Sequence, residues 1–359
     1  MNGGHVVCTG GGTAGHVVPA IPVIERLAAA GCRVSFIGSN TGLEAQLLKS
    51  VPAAYYGIAA GKLRRYFSWR NVADAFRVLA GLWQAFWLLG RLRPDAVFSK
   101  GGFVSFPVVL AAWLRRVPVI AHESDISPGL ANRLALPFVA LLCVNFPTTR
   151  PARFSGRVLH TGTPVRPALL RGDAAKGREL LGVTAARPIL VVTGGSLGAE
   201  ALNAVVRQAL PELLARFVVV HVCGPGKCVD GSWPGYHQFE YVSDAWGDLL
   251  AAADVVVSRA GANTLYELLT LKKLNVLVPL SRRVSRGDQI ENAAFARNAG
   301  LSEVVPEEEL TVASLCVAVD SVLAEREAFA ARLGAFHSPD AAALITAAVL
   351  EAVAGHRAR

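Results

Sequence analysis

His5-Val6-Val7-Cys8-Thr9-Gly10-Gly11-Gly12-Thr13-Ala14-Gly15-His16 and, far downstream, Ile189-Leu190-Val191-Val192-Thr193-Gly194-Gly195-Ser196-Leu197-Gly198 decide how this chain folds. Each stretch runs from a short apolar segment into a glycine turn. A helical pattern follows each, over residues 19–30 in the first and from about Glu200 in the second. Apolar residues without polar alternation suit a strand buried on both faces, as in a parallel sheet covered by helices. Glycines after such a strand let the backbone approach a phosphate, and the next helix turns free N–H groups and a positive dipole end toward it.

The alternation extends outward. Strand-like runs at residues 33–37, 96–99 and 117–121 and a helical one at 41–49 surround the first stretch; strand-like runs at 218–222, 254–257 and 276–278 follow the second. The chain therefore reads as α/β, with two Rossmann-like domains of parallel sheet. Prolines and a glycine in Thr161-Gly162-Thr163-Pro164-Val165-Arg166-Pro167 interrupt both patterns. This divides the chain into an N-terminal domain over 1–163, a C-terminal domain over 164–338, and a last helix within 339–359 expected to pack back on the first domain.

The 359 residues are 52% hydrophobic and 18% charged, enough to bury a large core, which excludes a disordered protein or a small disulfide scaffold. The net charge of +9 is unevenly spread: residues 1–163 hold 17 Lys and Arg against 6 Asp and Glu (+11), and residues 164–359 hold 19 against 21 (−2). The basic excess in the first half points to an anionic partner, nucleic acid or a membrane surface. No basic n-region or cleavage site follows Met1, so a cytoplasmic protein is expected. The longest uncharged apolar stretch, residues 134–146, falls short of the roughly 18 to 20 residues of a spanning helix. Six scattered cysteines without a C-x-x-C pair are expected as buried reduced thiols rather than zinc ligands or disulfides.

Gly10, Gly12 and Gly15 formally give G-x-G-x-x-G, but a dinucleotide site needs an acidic residue ending the second strand, and here it ends Phe36-Ile37-Gly38-Ser39-Asn40. A tight turn without ligand is the bland reading of either loop alone. The second half is more specific: Ser258-Arg259-Ala260-Gly261-Ala262-Asn263-Thr264-Leu265-Tyr266-Glu267-Leu268 leads from a strand into a helix. A small-residue loop there suits a diphosphate, and Glu267 can accept both ribose hydroxyls, unless it merely complements the helix dipole. With Gly287-Asp288-Gln289-Ile290-Glu291-Asn292 after the next strand, a nucleotide-sugar site facing the first domain is favoured.

Gly-Gly-Thr-Ala-Gly-His at 11–16, Lys-Gly-Gly-Phe at 100–103, His-Glu-Ser-Asp at 122–125, Pro-Gly-Leu-Ala-Asn-Arg at 128–133, Gly-Gly-Ser-Leu-Gly at 194–198 and Arg-Ala-Gly-Ala-Asn-Thr from Arg259 together resemble the MurG family across about residues 5 to 292. That family makes lipid II by moving N-acetylglucosamine (GlcNAc) from UDP-GlcNAc to the lipid-linked N-acetylmuramoyl-pentapeptide, lipid I. The resemblance implies a GT-B fold, with the acceptor on the N-terminal domain, UDP-GlcNAc mainly on the C-terminal domain and chemistry in the cleft between. It implies donor contacts at Thr13, Ala14, Gly15, Asp125, Arg166, Ser196, Val242 (backbone to the uracil edge), Ala262, Asn263, Thr264, Leu265, Tyr266, Glu267 and Gln289. Three positions depart from the family: Ser124-Asp125 where it usually has Gln-Asn, Leu197 where Gln is common, and Gly287-Asp288-Gln289 where the motif is Asp-His-Gln.

The implied reaction is attack of an acceptor hydroxyl on the anomeric carbon with inversion, which needs a base and positive charge at the departing diphosphate. His16 is the leading base candidate; His122, Glu123 and Asp125 are alternatives or orienting groups. Arg166 and the helix N-termini at Ser196 and Ala262 meet the UDP charge, so neither a metal nor a cofactor is required. Lys62-Leu63-Arg64-Arg65-Tyr66-Phe67-Ser68-Trp69-Arg70 precedes a helical run in which Phe76, Leu79, Leu82, Trp83, Phe86 and Trp87 share a face. Arg64, Arg65, Trp69, Arg70, Trp83 and Trp87 are assigned to a membrane surface and, with Gly101, Gly102 and Asn132, to the acceptor side. Tryptophan beside arginine favours an anionic membrane over nucleic acid, for which no motif is present, and makes the expected location the cytoplasmic face of the membrane. Another GT-B UDP-sugar transferase, a UDP-GlcNAc epimerase and a non-catalytic nucleotide-sugar binding module are the alternatives.

Overall fold

A computed structural model describes residues 3–61, 69–149, 151, 154–183 and 187–358. The chain forms two compact units, Met1–Pro164 with Pro339–Arg359, and Val165–Ser338. Residues 339–359 carry two basic and two acidic side chains, so the first unit keeps the +11 balance of residues 1–163.

The first unit is a seven-stranded sheet: β1 (Gly3–Thr9), β2 (Cys32–Ser39), β3 (Ala54–Ile58), β4 (Ala96–Ser99), β5 (Val119–Glu123), β6 (Leu141–Val144) and β7 (Arg157–His160). Its order is β3-β2-β1-β4-β5-β6-β7, with every neighbouring pair parallel. The order reverses at β1, and Thr9 pairs with Ser99, so the loops leaving β1 and β4 emerge side by side. Such a reversal opens the crevice where open α/β sheets bind ligands. The second unit repeats the plan with β8 (Ile189–Thr193), β9 (Val218–Val222), β10 (Tyr236–Phe239), β11 (Val255–Ser258), β12 (Asn275–Leu277) and β13 (Glu303–Val304), ordered β10-β9-β8-β11-β12-β13 and all parallel. There Thr193 pairs with Ser258 at the reversal.

The first sheet is buried on both faces. Val6, Cys8, Phe36 and Phe98 pack against helix Ile21–Ala29 and against Ile345, Val349 and Val353 of the terminal helix Ala341–Arg357. Each such side chain contributes about 1.5–3 kcal/mol on burial, and the ion pairs Arg26–Asp340 (2.6 Å) and Arg357–Asp95 (3.0 Å) hold the helix at its two ends. On the other face Val7, Ile37 and Val97 meet Ala85 and Leu89 of helix Trp69–Leu92 and Val108 and Val109 of helix Ser105–Leu114.

Several expectations change. The first glycine loop opens onto two 3-10 turns, Ala14–His16 and Val18–Ala20, before the α-helix begins at Ile21. Pro19 and Pro22 have no N–H to give to the fourth residue before them, so the α-helix cannot extend back to the loop. The helical run expected over 41–49 is α-helical only over Glu44–Leu47. The aromatic helix presents two faces: Leu82 and Phe86 pack on the core, while Phe76, Leu79, Trp83 and Trp87 are 60–68% exposed. Cys228 is exposed and Cys316 half-buried, unlike the other four cysteines. Among the described residues no helix is long and apolar enough to cross a membrane.

Candidate active site

The C-terminal ends of β1, β4 and β5 gather the first group of site residues. Gly10 passes so close to the chain that a Cβ would lie 2.5 Å from the His16 carbonyl oxygen. Glu44, with no exposed surface, accepts the Gly12 N–H (2.8 Å) and the Ser39 hydroxyl (3.1 Å), which fixes the first glycine loop. Thr13 is exposed at its tip, and Ala14, Gly15 and His16 are half-buried. Gly101 and Gly102 both have φ +87°, a region that disfavours any Cβ. A Cβ on Gly102 would stand 2.1 Å from the Gly11 carbonyl oxygen and 3.0 Å from His16 Cδ2. The His16 imidazole thus lies against a surface only glycine provides. Gly102→Ala is expected to lower the melting temperature, at a cost of about 1–3 kcal/mol, and to depress activity by displacing His16. Gly195→Ala, also at positive φ (+79°) but in open space, should show only the backbone cost; equal melting shifts in the two variants would contradict the close approach.

Glu123 and His122 hold this end of the sheet together. The Glu123 carboxylate accepts the N–H of Asp125 (3.0 Å), the N–H of Gly129 (3.0 Å) and the Asn132 amide (2.8 Å), so it shapes the loop carrying Asp125. Asn132 also donates to the His122 carbonyl (3.3 Å), and its Oδ1 would lie 2.7 Å from a Cβ on Gly101. His122 is fully buried; burial, with Lys100 nearby, holds its pKa well below the ordinary imidazole value. A neutral ring facing a carbonyl carries its proton on Nε2, which donates to Gly162 (2.8 Å). Lys100 is buried at the end of β4 and donates to the Ser124 hydroxyl. Burial pulls its pKa down to about 8, while Glu123 and Asp125 pull the other way. Beside these loops lies a cavity of about 560 Å³ lined by Gly12, Glu44, Asp74, Arg77 and Phe103 among others, in which Arg77 pairs with Asp74 (3.1 Å).

The second group stands at the C-terminal ends of β8, β11 and β12. Gly198 donates to the Gly195 carbonyl (3.0 Å), closing a turn with Ser196 and Leu197 exposed at its tip. Helix Glu200–Gln208 starts later, capped by Ala199, so Ser196 is on a turn and not at a helix N-terminus as expected. Helix Ala262–Thr270 does begin directly after β11, with Gly261 as its N-cap. Leu265 and Tyr266 are buried, Tyr266 edge-on to Phe336 (5.8 Å between centroids), so they can offer a ligand only backbone. Glu267 is half-buried; burial pushes its pKa up to about 7 against the pull of Arg166. Arg166 Nε is buried and has no hydrogen-bond partner among the described residues. Arg259 is committed elsewhere: it pairs with Glu307 and donates to the Val278 carbonyl (3.2 Å). Gln289 accepts the Leu280 N–H through Oε1 (3.0 Å). Val242 is half-buried in the loop after β10.

Of the acceptor-side residues, Arg64 and Arg65 lie outside the described residues, and Trp69 and Arg70 fall in the first turn of helix Trp69–Leu92. Trp83 and Trp87 are exposed and meet edge to face at 6.2 Å. On the neighbouring helix Trp113 and Leu114 are each 50% exposed. Arg115 lies over the Phe86 ring (4.0 Å). Sequence reasoning missed Glu44 and Lys100. Among the described residues no group of three or more His, Cys, Asp or Glu side chains is placed to hold a metal ion.

Residues 6–142 match the glycosyltransferase family 28 N-terminal domain and residues 189–345 its C-terminal domain. A UDP-N-acetylglucosamine–N-acetylmuramyl-(pentapeptide) pyrophosphoryl-undecaprenol N-acetylglucosamine transferase of Legionella pneumophila (strain Paris) is 45% identical over 96% of both chains. The enzyme of that name from Lachnospira eligens is 51% identical over 90% of this chain and 92% of its own. The crystal structure of MurG from Acinetobacter baumannii superposes with a TM-score of 0.75 at 28% identity, covering 97% of this chain and 99% of that one. With two parallel α/β units of the GT-B type and this similarity along nearly its whole length, the chain belongs to glycosyltransferase family 28 and, within it, to the MurG family of N-acetylglucosaminyltransferases.

Proposed function

We propose that this chain moves GlcNAc from UDP-GlcNAc to the C4 hydroxyl of lipid I in a single inverting displacement that yields lipid II and UDP. The observation that carries the donor half is Arg166 beside Glu267, a guanidinium with an unpartnered buried Nε next to a carboxyl destabilised by burial. Such a pair is costly in the empty protein and is relieved by a ligand with a diphosphate and vicinal hydroxyls. The N-terminus of helix Ala262–Thr270 adds a positive dipole end for the leaving charge, and the reading needs no cofactor or metal. His16 acts as base. Glu123 is an unsuitable base because three N–H groups occupy its carboxylate, and His122 because it is fully buried and its pKa is held well below the ordinary imidazole value. The relatives named above as N-acetylglucosamine transferases do not favour an epimerase or a binding module. The linkage of the product tests the displacement: an α-linked donor should give a β-linked disaccharide by NMR, and an α-linked product would require two displacements and sink the single-base account.

Access to a lipid-bound acceptor comes from the outer face of helix Trp69–Leu92. Phe76, Leu79, Trp83 and Trp87 recur at helical spacing and stay exposed, beside Trp113 and Leu114, in a unit with an 11-charge basic excess. That combination supports peripheral attachment to an anionic bilayer at its cytoplasmic face. Juxtamembrane basic residues are worth about 1 kcal/mol each. Replacing Arg64, Arg65 and Arg70 together should weaken sedimentation with anionic vesicles on the order of a hundredfold at low salt, and salt should weaken it likewise. Equal binding to neutral vesicles at high salt would refute the electrostatic part.

A further inference from the structure

Where the MurG family usually has Gln-Asn after His122-Glu123, this chain has Ser124-Asp125, and the carboxylate is accompanied by a buried cation. Lys100 is 1% exposed at the end of β4, adjacent to β5, and its ammonium donates to Ser124, the residue between Glu123 and Asp125. Glu123 has its carboxylate filled by backbone and amide N–H groups, so it does not need Lys100 to satisfy its hydrogen bonds. Ser124 and Asp125 are both half-buried at the ligand end of the sheet. A lysine so deeply buried is costly unless its charge is used, and the charges of Glu123 and Asp125 favour its charged form.

We propose that Lys100 is a positioning residue: through Ser124 and Asp125 its ammonium ion fixes the loop after β5 and balances the carboxylate that replaces the family's amide at a donor-contacting position. Lys100 of the shared Lys-Gly-Gly-Phe motif and the departures at Ser124 and Asp125 then act as one coupled unit. The inference rests on the transferase reading.

A double-mutant cycle in the transfer assay tests it, with UDP-GlcNAc and a lipid I analogue and with melting temperatures measured alongside. Lys100→Met alone is expected to lower kcat/KM by about ten- to a hundredfold, and the same change in an Asp125→Asn background by less than about threefold. Additive losses would overturn the coupling. A second readout does not require Lys100 to be replaced. The wild-type kcat/KM should fall with an alkaline limb near pH 8, where Lys100 loses its proton. Asp125→Asn removes the carboxylate that the lysine charge balances, so the limb should shrink to less than about threefold and what remains should lie at lower pH; in Lys100→Met/Asp125→Asn it should vanish. A limb of wild-type size in Asp125→Asn overturns the proposal even if Lys100→Met fails to fold, and so does a limb that persists in the double variant. If the wild-type protein transfers no GlcNAc, the transferase reading fails instead, and the two failures remain distinct.

Discussion

His16→Ala is expected to reduce kcat for GlcNAc transfer by about 10²- to 10⁴-fold, the range a positioned general base supplies. The KM for UDP-GlcNAc should change by no more than a few-fold, because the groups read as holding uridine diphosphate, Arg166, Glu267 and Gln289, belong to the other unit. The imidazole lies against Gly102 at the reversal of the first sheet, and its backbone N–H donates to the Thr13 carbonyl (3.1 Å). Its truncation leaves the glycine loop anchored by Glu44, so the fold should survive. Near-wild-type transfer by His16→Ala, together with abolition by Asp125→Ala, would move the base to the carboxylate. Glu123→Ala is not an equivalent control, since it frees three N–H donors and should lower the melting temperature as well as activity.

Glu267→Gln is expected to raise the KM for UDP-GlcNAc by about 10- to 100-fold, the weight of hydrogen bonds to a charged acceptor. Because burial raises this carboxyl to about pH 7, its acceptor form is lost as the pH falls. Wild-type kcat/KM should therefore decline below pH 7 as Glu267 takes up its proton, and Glu267→Gln should lack that limb. Stability should respond in the opposite sense. A carboxyl whose folded pKa lies above its unfolded value stabilises the fold fully below the unfolded value near 4.5 and loses that contribution as pH rises through 7. At pH 8 the wild type carries a strained carboxylate, discounted for partial exposure to about 1–2 kcal/mol. Glu267→Gln should then melt higher than wild type at pH 8 and not at pH 5. A variant less stable at both pH values would show Glu267 to be a structural capping group.

The central strands of each sheet were legible because β1, β4, β8, β9 and β11 are buried on both faces, and unbroken Val and Ile runs have few other uses; their order was not. The missed strands are mostly peripheral. Tyr236–Phe239 and Ala54–Ile58 close sheet edges with Tyr, His, Gln and Gly, and Arg157–His160 is largely exposed, so one covered face leaves a weak pattern. Leu141–Val144 was hidden in a longer apolar run whose helical part ends at Phe138. At the site, sequence spacing singled out the ligand-facing loops but not their supports. Glu44 is a lone carboxylate in a short helical run and reads as surface, yet packing against the first glycine loop buries it completely. Lys100 stood within a recognised motif, but only the adjacency of β4 and β5 brings it to Ser124 and Asp125.

Transfer itself is measured by incubating the purified protein with labelled UDP-GlcNAc and a lipid I analogue and resolving the products. A labelled lipid disaccharide and one UDP per transfer are expected, persisting in excess EDTA and absent when the lipid is omitted. Free labelled sugar released or epimerised without acceptor, or donor binding with no turnover, would contradict transfer to lipid I.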